Sequence, residues 1–131
     1  MSKMVQPPGW KRPRGYSNGV AARGEQIFTA GQIGWNEREE IVSGDFVEQT
    51  AQALRNVVAI LRAAGASPED LVRMTWYVTD KREYAARTKE IGVVYREILG
   101  AVYPAMTLVQ VADLLEDGAK VEIEATAVLP D

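Results

Sequence analysis

The clearest pattern of hydrophobic and polar residues lies near the end of the chain, where the run KVEIEATAVL alternates strictly between the two classes. This period of two predicts a strand over residues 120–129. Its apolar face carries Val121, Ile123, Ala125, Ala127 and Leu129. Its other face carries two carboxylates, Glu122 and Glu124. We therefore expect the apolar face to pack against helices and the glutamates to lie on the opposite side of a sheet.

Two other segments place apolar residues at helical spacing. The first helix is predicted to begin after Asp45, a favourable N-cap residue that is followed three positions later by Glu48. It is predicted to end at Ala64-Gly65, because glycine readily adopts the backbone conformation that follows a helix. A second helix is predicted over residues 82–99.

The remaining strands complete an α/β (α+β) fold. Residues 20–22 and 26–32 flank a short turn and predict a hairpin, and residues 71–79 and 105–111 predict two further strands. The order β-β-α-β-α-β-β contains strand–helix–strand units, which favour parallel neighbours with both helices on one face of a mixed sheet. The opposite face is then uncovered, and a large uncovered face on a small domain favours an oligomer interface.

Two interpretations of the paired glutamates follow from this arrangement. Alternating charge on a half-buried strand is ordinary, so Glu122 and Glu124 form a solvent-exposed polar face in the first interpretation. In the second, another subunit buries this face, and a glutamate acts as a general base or positions a water molecule. The alternation alone does not choose between them.

Composition narrows the chemistry that this sequence can perform. With 131 residues, a single domain is expected, and the prolines and glycines of residues 1–15 predict an irregular lead-in. The chain has neither cysteine nor histidine, which excludes Ser-His-Asp and Cys-His nucleophile systems and the usual zinc sites, and we expect no metal site. The net charge of −3 argues against a nucleic-acid partner. No apolar run reaches the roughly 20 residues of a membrane span, so we expect no membrane partner and a cytoplasmic location.

Several short segments occur in an order that is specific in combination. They are Gly15-Tyr16-Ser17, FTAGQI at 28–33, the helical run 49–65, YVTD at 77–80, Tyr95, Pro104-Ala105 and VEIEATAV at 121–128. In this order they resemble the Rid family (RidA/YjgF-like proteins, also labelled L-PSP endoribonucleases). The resemblance implies a chorismate-mutase-like fold and a homotrimer, in which a closed barrel has three small-molecule clefts between subunits.

The resemblance also implies an activity. Well-studied members hydrolyse reactive enamines and imines to carbonyl compounds and ammonia without a cofactor, which agrees with a chain that lacks histidine and cysteine. Tyr16 and Gly31 match family site residues, and the catalytic, water-holding glutamate maps to Glu122. Glu124 is the second choice, because the loop before this strand is one residue longer than in typical members.

Three family positions depart from the pattern. Met106 stands where the deaminases have a carboxylate-binding arginine after Pro-Ala, Gly92 replaces an asparagine, and Ala30 replaces a serine. The predicted binding residues are Tyr16, Ala30, Gly31, Gly92, Met106, Leu108 and Glu124. Loss of a bidentate arginine predicts a more apolar or differently charged ligand. Arg73 and Arg96 are alternative cations, and the sequence gives no reason to prefer either.

Three functions follow from these observations. The first is a Rid-like enamine or imine deaminase with altered substrate preference and Glu122 as the catalytic group. The second is a trimer that binds a small metabolite without chemistry, which the loss of arginine and asparagine favours. The third is an endoribonuclease, which the acidic net charge and the lack of histidine disfavour.

Overall fold

The computed structural model describes residues 2–131, and its helices and strands follow the predicted order except for an additional strand near the start and a division of the second helix. The strands are β1 (Lys3–Val5), β2 (Gly19–Ala21), β3 (Glu25–Phe28), β4 (Leu71–Val78), β5 (Ala105–Gln110) and β6 (Val121–Leu129). The helices are α1 (Phe46–Ala63), α2 (Lys81–Ala86) and α3 (Thr88–Leu99). Pro68–Asp70 forms a short 3-10 helix before β4.

The main sheet has four strands in the order β3-β6-β4-β5. Strands β4 and β5 are parallel neighbours, as the strand–helix–strand pattern predicts, whereas β6 is antiparallel to both β3 and β4. The last strand of the chain therefore separates β3 from β4. Mixed strand directions confirm the predicted mixed sheet.

The predicted hairpin between residues 20–22 and 26–32 is wrong. Strand β2 pairs with β1, and β3 pairs with β6 from Glu25 opposite Leu129 to Phe28 opposite Thr126. Strand β6 has nine residues, several of them buried, whereas β2 has three and none is buried. Strand β6 is therefore the more favourable partner for β3. Strand β1 also lies inside the segment 1–15 that was predicted to be irregular.

The predicted second helix is divided at Arg87, whose φ of −126° departs from helical geometry. Its guanidinium donates to Asp45 Oδ1 at 2.6 Å and to Glu90 Oε2 at 2.7 Å. The sequence pattern did not reveal this break, because Arg87 and Asp45 are 42 positions apart and meet only in the folded chain.

The first helix begins and ends as predicted. Asp45 accepts a hydrogen bond from the Glu48 amide at 3.0 Å, and Gly65 has a φ of +83° just beyond the helix. The second hydrogen bond of a capping box, from the Asp45 amide to the Glu48 side chain, is replaced. The Asp45 amide donates to Ser43 Oγ instead. These caps fix where α1 begins and ends over the sheet.

The hydrophobic core lies between the helices and one face of the sheet. Its largest fully buried side chains include Trp76, Phe46, Leu54, Leu61, Met74 and Ile123. Along β6, the apolar residues from Val121 to Ala127 are buried, and Glu122 and Glu124 are half-buried on the other face. The predicted assignment of the two faces is therefore correct.

A buried glutamine joins the first helix to the loop before β6. Gln49 is fully buried, and its Nε2 donates to the carbonyls of Ser43 and Gly118 at 2.9 Å each. Its Oε1 accepts the Lys120 amide at 2.8 Å. This side chain satisfies three backbone groups that the loops leave unpaired, and it fixes the position at which β6 begins.

Across residues 2–131, every helix is too short or too polar to pass through a lipid bilayer.

Candidate functional site

The two glutamates of β6 share their face of the sheet with Tyr77 of β4. The strand register places Tyr77 opposite Glu122, and its hydroxyl donates to Glu124 Oε1 at 3.1 Å. This hydrogen bond raises the pKa of the Tyr77 hydroxyl. Within residues 2–131 it is therefore Glu124, and not Glu122, that accepts the tyrosine hydroxyl.

Glu122 lies directly against the backbone of Gly31. An ideal Cβ at position 31 would fall 2.0 Å from Glu122 Oε2 and 2.7 Å from its Cδ. The segment is held there by the backbone bonds between Gln32 and Ile123, at 2.8 and 2.9 Å. Only glycine permits this approach, and Ala30 precedes it as an exposed residue. Glu122, Glu124, Gly31 and Ala30 thus form one group, called here the glutamate face.

A second group of predicted residues lies on the opposite side of the sheet. Met106 pairs with Met74 and Leu108 with Trp76, which places both under the helices, where they are half-buried against the core. Gly92 of α3 lies across from them. Between α3 and β5 is a cleft of about 280 Å³, called here the α3–β5 cleft, whose lining includes Trp76, Ile91, Gly92, Arg96, Tyr103 and Met106.

Tyr16 lies beside the α3–β5 cleft. Its neighbour Ser17 donates its amide to the Pro104 carbonyl at 3.0 Å and its hydroxyl to the Tyr103 carbonyl at 2.5 Å, which ties the segment to the start of β5. Tyr16 itself is 41% exposed and lines a neighbouring groove of about 630 Å³ with Trp10 and Tyr103. Gly15 lines both cavities.

The predicted site residues therefore separate into two groups on the two faces of the sheet. Ala30, Gly31, Glu122 and Glu124 belong to the glutamate face, and Gly92, Met106 and Leu108 lie at the α3–β5 cleft with Tyr16 beside it. One copy of the chain does not bring these groups together.

The structure distinguishes the two arginines that the sequence left equivalent. Arg96 lines the α3–β5 cleft. Arg73 pairs with Ala105 and Thr126 in the sheet and is not among the residues that line that cleft. Trp76 is a further feature that the sequence did not single out as a ligand group. It is 1% exposed, and its Nε1 is the one buried side-chain nitrogen or oxygen in residues 2–131 without a hydrogen-bond partner.

The described residues contain no cluster of three histidine, cysteine, aspartate or glutamate side chains suited to a metal ion. Both carboxylates of the glutamate face stand on one strand, with Tyr77 as the partner of Glu124. The chemistry available here is that of a carboxylate, hydroxyl groups and backbone amides.

Comparison with known proteins agrees with this architecture. A sequence model of the family described as Endoribonuclease L-PSP matches residues 10–129. The structure of YyfB from Yersinia pestis, described as a member of the conserved Rid family, superposes with a TM-score of 0.83 at 35% identity, covering 98% of both chains. The chain belongs to the Rid family. The predicted chorismate-mutase-like fold of this family is thereby confirmed.

Two Rid proteins of Escherichia coli are similar over most of their length. TdcF is 39% identical over 134 residues, covering 98% of both chains, and its crystal structure with bound serine gives a TM-score of 0.71. A 2-iminobutanoate/2-iminopropanoate deaminase of strain K12 is 39% identical over 105 residues, covering 80% of each chain. At the level of the family, these relatives support an imine deaminase.

Proposed function

We propose that this Rid protein hydrolyses a reactive enamine or imine to a carbonyl compound and ammonia. The observation that carries the proposal is the Glu122 carboxylate, held against the backbone of Gly31 on an otherwise accessible face. The names of similar proteins support the same reaction class. The reaction needs no cofactor, because water and a proton carrier are sufficient.

Glu122 acts as the proton carrier in this reaction. As a water oxygen attacks the imine carbon, the carboxylate takes one proton from the water, and the C=N bond becomes a C–N single bond. Glu122 then delivers this proton to the nitrogen, which gives a carbinolamine. In a second transfer Glu122 takes the hydroxyl proton of the carbinolamine and passes it to the amino group, so that the C=O bond forms, the C–N bond breaks, and a carbonyl compound and ammonia leave. One water is consumed, one ammonia is released, and Glu122 returns to its starting state.

The complete site requires a second copy of the chain in this proposal. The glutamate face and the α3–β5 cleft lie on opposite faces of one sheet, so they meet only if one subunit's glutamate face lies beside another's cleft. A homotrimer, as the family resemblance implies, would contain three such clefts for a small-molecule ligand. The cytoplasm is the proposed location.

Met106 shapes the substrate preference in this proposal. It places a flexible apolar side chain where an arginine would hold a carboxylate, which removes a charge-assisted contact worth about 1.5–3 kcal/mol. A ligand that depends on an arginine at this position is therefore a poor substrate. A larger apolar ligand gains contact with the thioether instead.

Competition between the protein and semicarbazide for a freshly formed imine tests the proposal. An L-amino acid oxidase generates 2-imino acids from several amino acids, and semicarbazide traps the imine that remains. The protein should lower the trapped fraction, and Glu122→Gln should abolish this effect while ligand binding is retained. Glu124→Gln is the matched control, because its carboxylate is already bonded to Tyr77.

The alternative is a trimer that binds a metabolite without reaction, which Met106 and Gly92 favour. A wild-type protein that binds product-like acids but leaves every imine untouched would establish this alternative and contradict the deaminase.

A further inference from the structure

Among the described residues that line the α3–β5 cleft, Arg96 is the only charged one. It lies in the last turn of α3, and its Nη1 is 3.6 Å from the position that a Cβ of Gly92 would occupy. Because Gly92 has no side chain, open space remains next to the Arg96 guanidinium. None of the ion pairs within residues 2–131 involves Arg96.

Trp76 lines the same cleft with apolar surface. The residue is 1% exposed, and the rings of Tyr84 and Tyr95 flank its indole at centroid distances of 6.3 and 6.5 Å. The cleft therefore places one cation, Arg96, beside apolar walls.

We infer that Arg96 binds the carboxylate of an apolar carboxylic acid in the α3–β5 cleft. A guanidinium can donate two parallel N–H bonds to a carboxylate, and it is the side chain best suited to bind one. The cation then comes from helix α3 rather than from the strand position of Met106. This inference rests on the proposed function in one respect only, that the acid is the imine substrate.

The walls of the cleft indicate the rest of the ligand. Tyr95 and Tyr103 stack with a centroid distance of 6.0 Å, and Tyr103 remains 38% exposed. Met106 and Ile91 supply flexible and branched apolar surface beside them. At about 280 Å³, the cleft is close to the lower size limit of small-molecule sites. These features fit a carboxylic acid with an aromatic or large aliphatic side chain.

Calorimetric titration with phenylpyruvate and its neutral methyl ester tests the inference without any need for turnover. The wild-type protein should bind the acid at least about tenfold more tightly than the ester, which corresponds to one charge-assisted contact. Arg96→Gln should weaken binding of the acid by at least about tenfold and leave binding of the ester unchanged.

Arg62→Gln is the matched control, since Arg62 occupies the last turn of α1 just as Arg96 occupies that of α3. Its affinity for the acid should equal that of the wild type. Equal affinity of the wild type for acid and ester, no binding of the acid at millimolar concentration, or full affinity in Arg96→Gln would overturn the inference.

The same variants separate this inference from the deaminase proposal. If the wild type binds the acid through Arg96 but releases no ammonia from any imine, the deaminase proposal fails and the carboxylate site stands. If Arg96→Gln releases ammonia from an aromatic 2-imino acid with an unchanged KM, the carboxylate site fails and the deaminase stands.

Discussion

The Glu122 carboxylate occupies the space in which any side chain at position 31 would have to begin. The glycine is thus required by the position of the glutamate rather than by its own backbone conformation. The three atoms nearest to that position, Oε2, Cδ and Cγ, all belong to the Glu122 side chain, so a Cβ at position 31 would displace this side chain and leave the strands in place.

Gly31→Ala should therefore reduce imine hydrolysis by about 100-fold or more, because a displacement of about 1 Å at a reacting group can have that effect. Ammonia release measures the activity, and urea denaturation should show nearly unchanged stability. Gly44→Ala is the control, since a Cβ there meets nothing within 4 Å. Full activity in Gly31→Ala would show that the position of Glu122 does not matter.

Acid should weaken the ion pair between Asp45, the N-cap residue of α1, and Arg87, which lies between α2 and α3. The hydrogen bond from Arg87 holds the pKa of the Asp45 carboxyl below its ordinary value of 3.8. Because the folded-state pKa is the lower one, the contact stabilises the fold fully above pH 3.8 and is lost as the pH falls through the folded-state pKa. Asparagine keeps the N-cap but forms no ion pair.

The wild type should therefore be more stable than Asp45→Asn at neutral pH, and this difference should shrink as the pH falls below 3.8. Urea unfolding at several pH values measures it. Asp80→Asn makes the same change at the N-cap of α2, where the carboxylate accepts only the Arg82 amide, and should have little effect at neutral pH. A difference for Asp45→Asn that is independent of pH would contradict the prediction.

Gln49→Leu should destabilise the fold by at least about 3 kcal/mol, because each buried backbone group left unpaired costs about 1–3 kcal/mol. Three such groups, at Ser43, Gly118 and Lys120, would lose their partner. Gln52→Leu serves as the control, since Gln52 bonds only to the Asn56 side chain. Equal denaturation midpoints for the two variants would show that water replaces Gln49 without penalty.

Local patterns in the sequence predicted most of the fold. Alternation along β6 predicted which face carries Glu122, and Asp45 and Gly65 marked the ends of α1, because these signals depend on neighbouring residues. The hairpin prediction failed because β3 pairs with β6, which lies far along the chain, from Glu25 opposite Leu129 to Phe28 opposite Thr126. The break at Arg87 was also missed, and Arg87 bonds there to Asp45, a carboxylate 42 positions away that no local pattern connects with it.

The candidate site was less predictable than the fold. Sequence spacing could not show that Met106 and Glu122 lie on opposite faces of the sheet, because that depends on the register between β4, β5 and β6. It also could not choose between Arg73 and Arg96, since the choice depends on which arginine lies where Gly92 leaves space.

The central position of β6 has a consequence for biosynthesis. The ribosome makes β6 after every other strand of the sheet, yet β3 and β4 have no shared neighbour without it. Until β6 leaves the exit tunnel, the nascent chain leaves unpaired the backbone edges of β3 and β4 to which β6 later bonds. Folding of this sheet is therefore a late event that closes contacts far apart in sequence, which slows it and lengthens the time during which chaperones can bind.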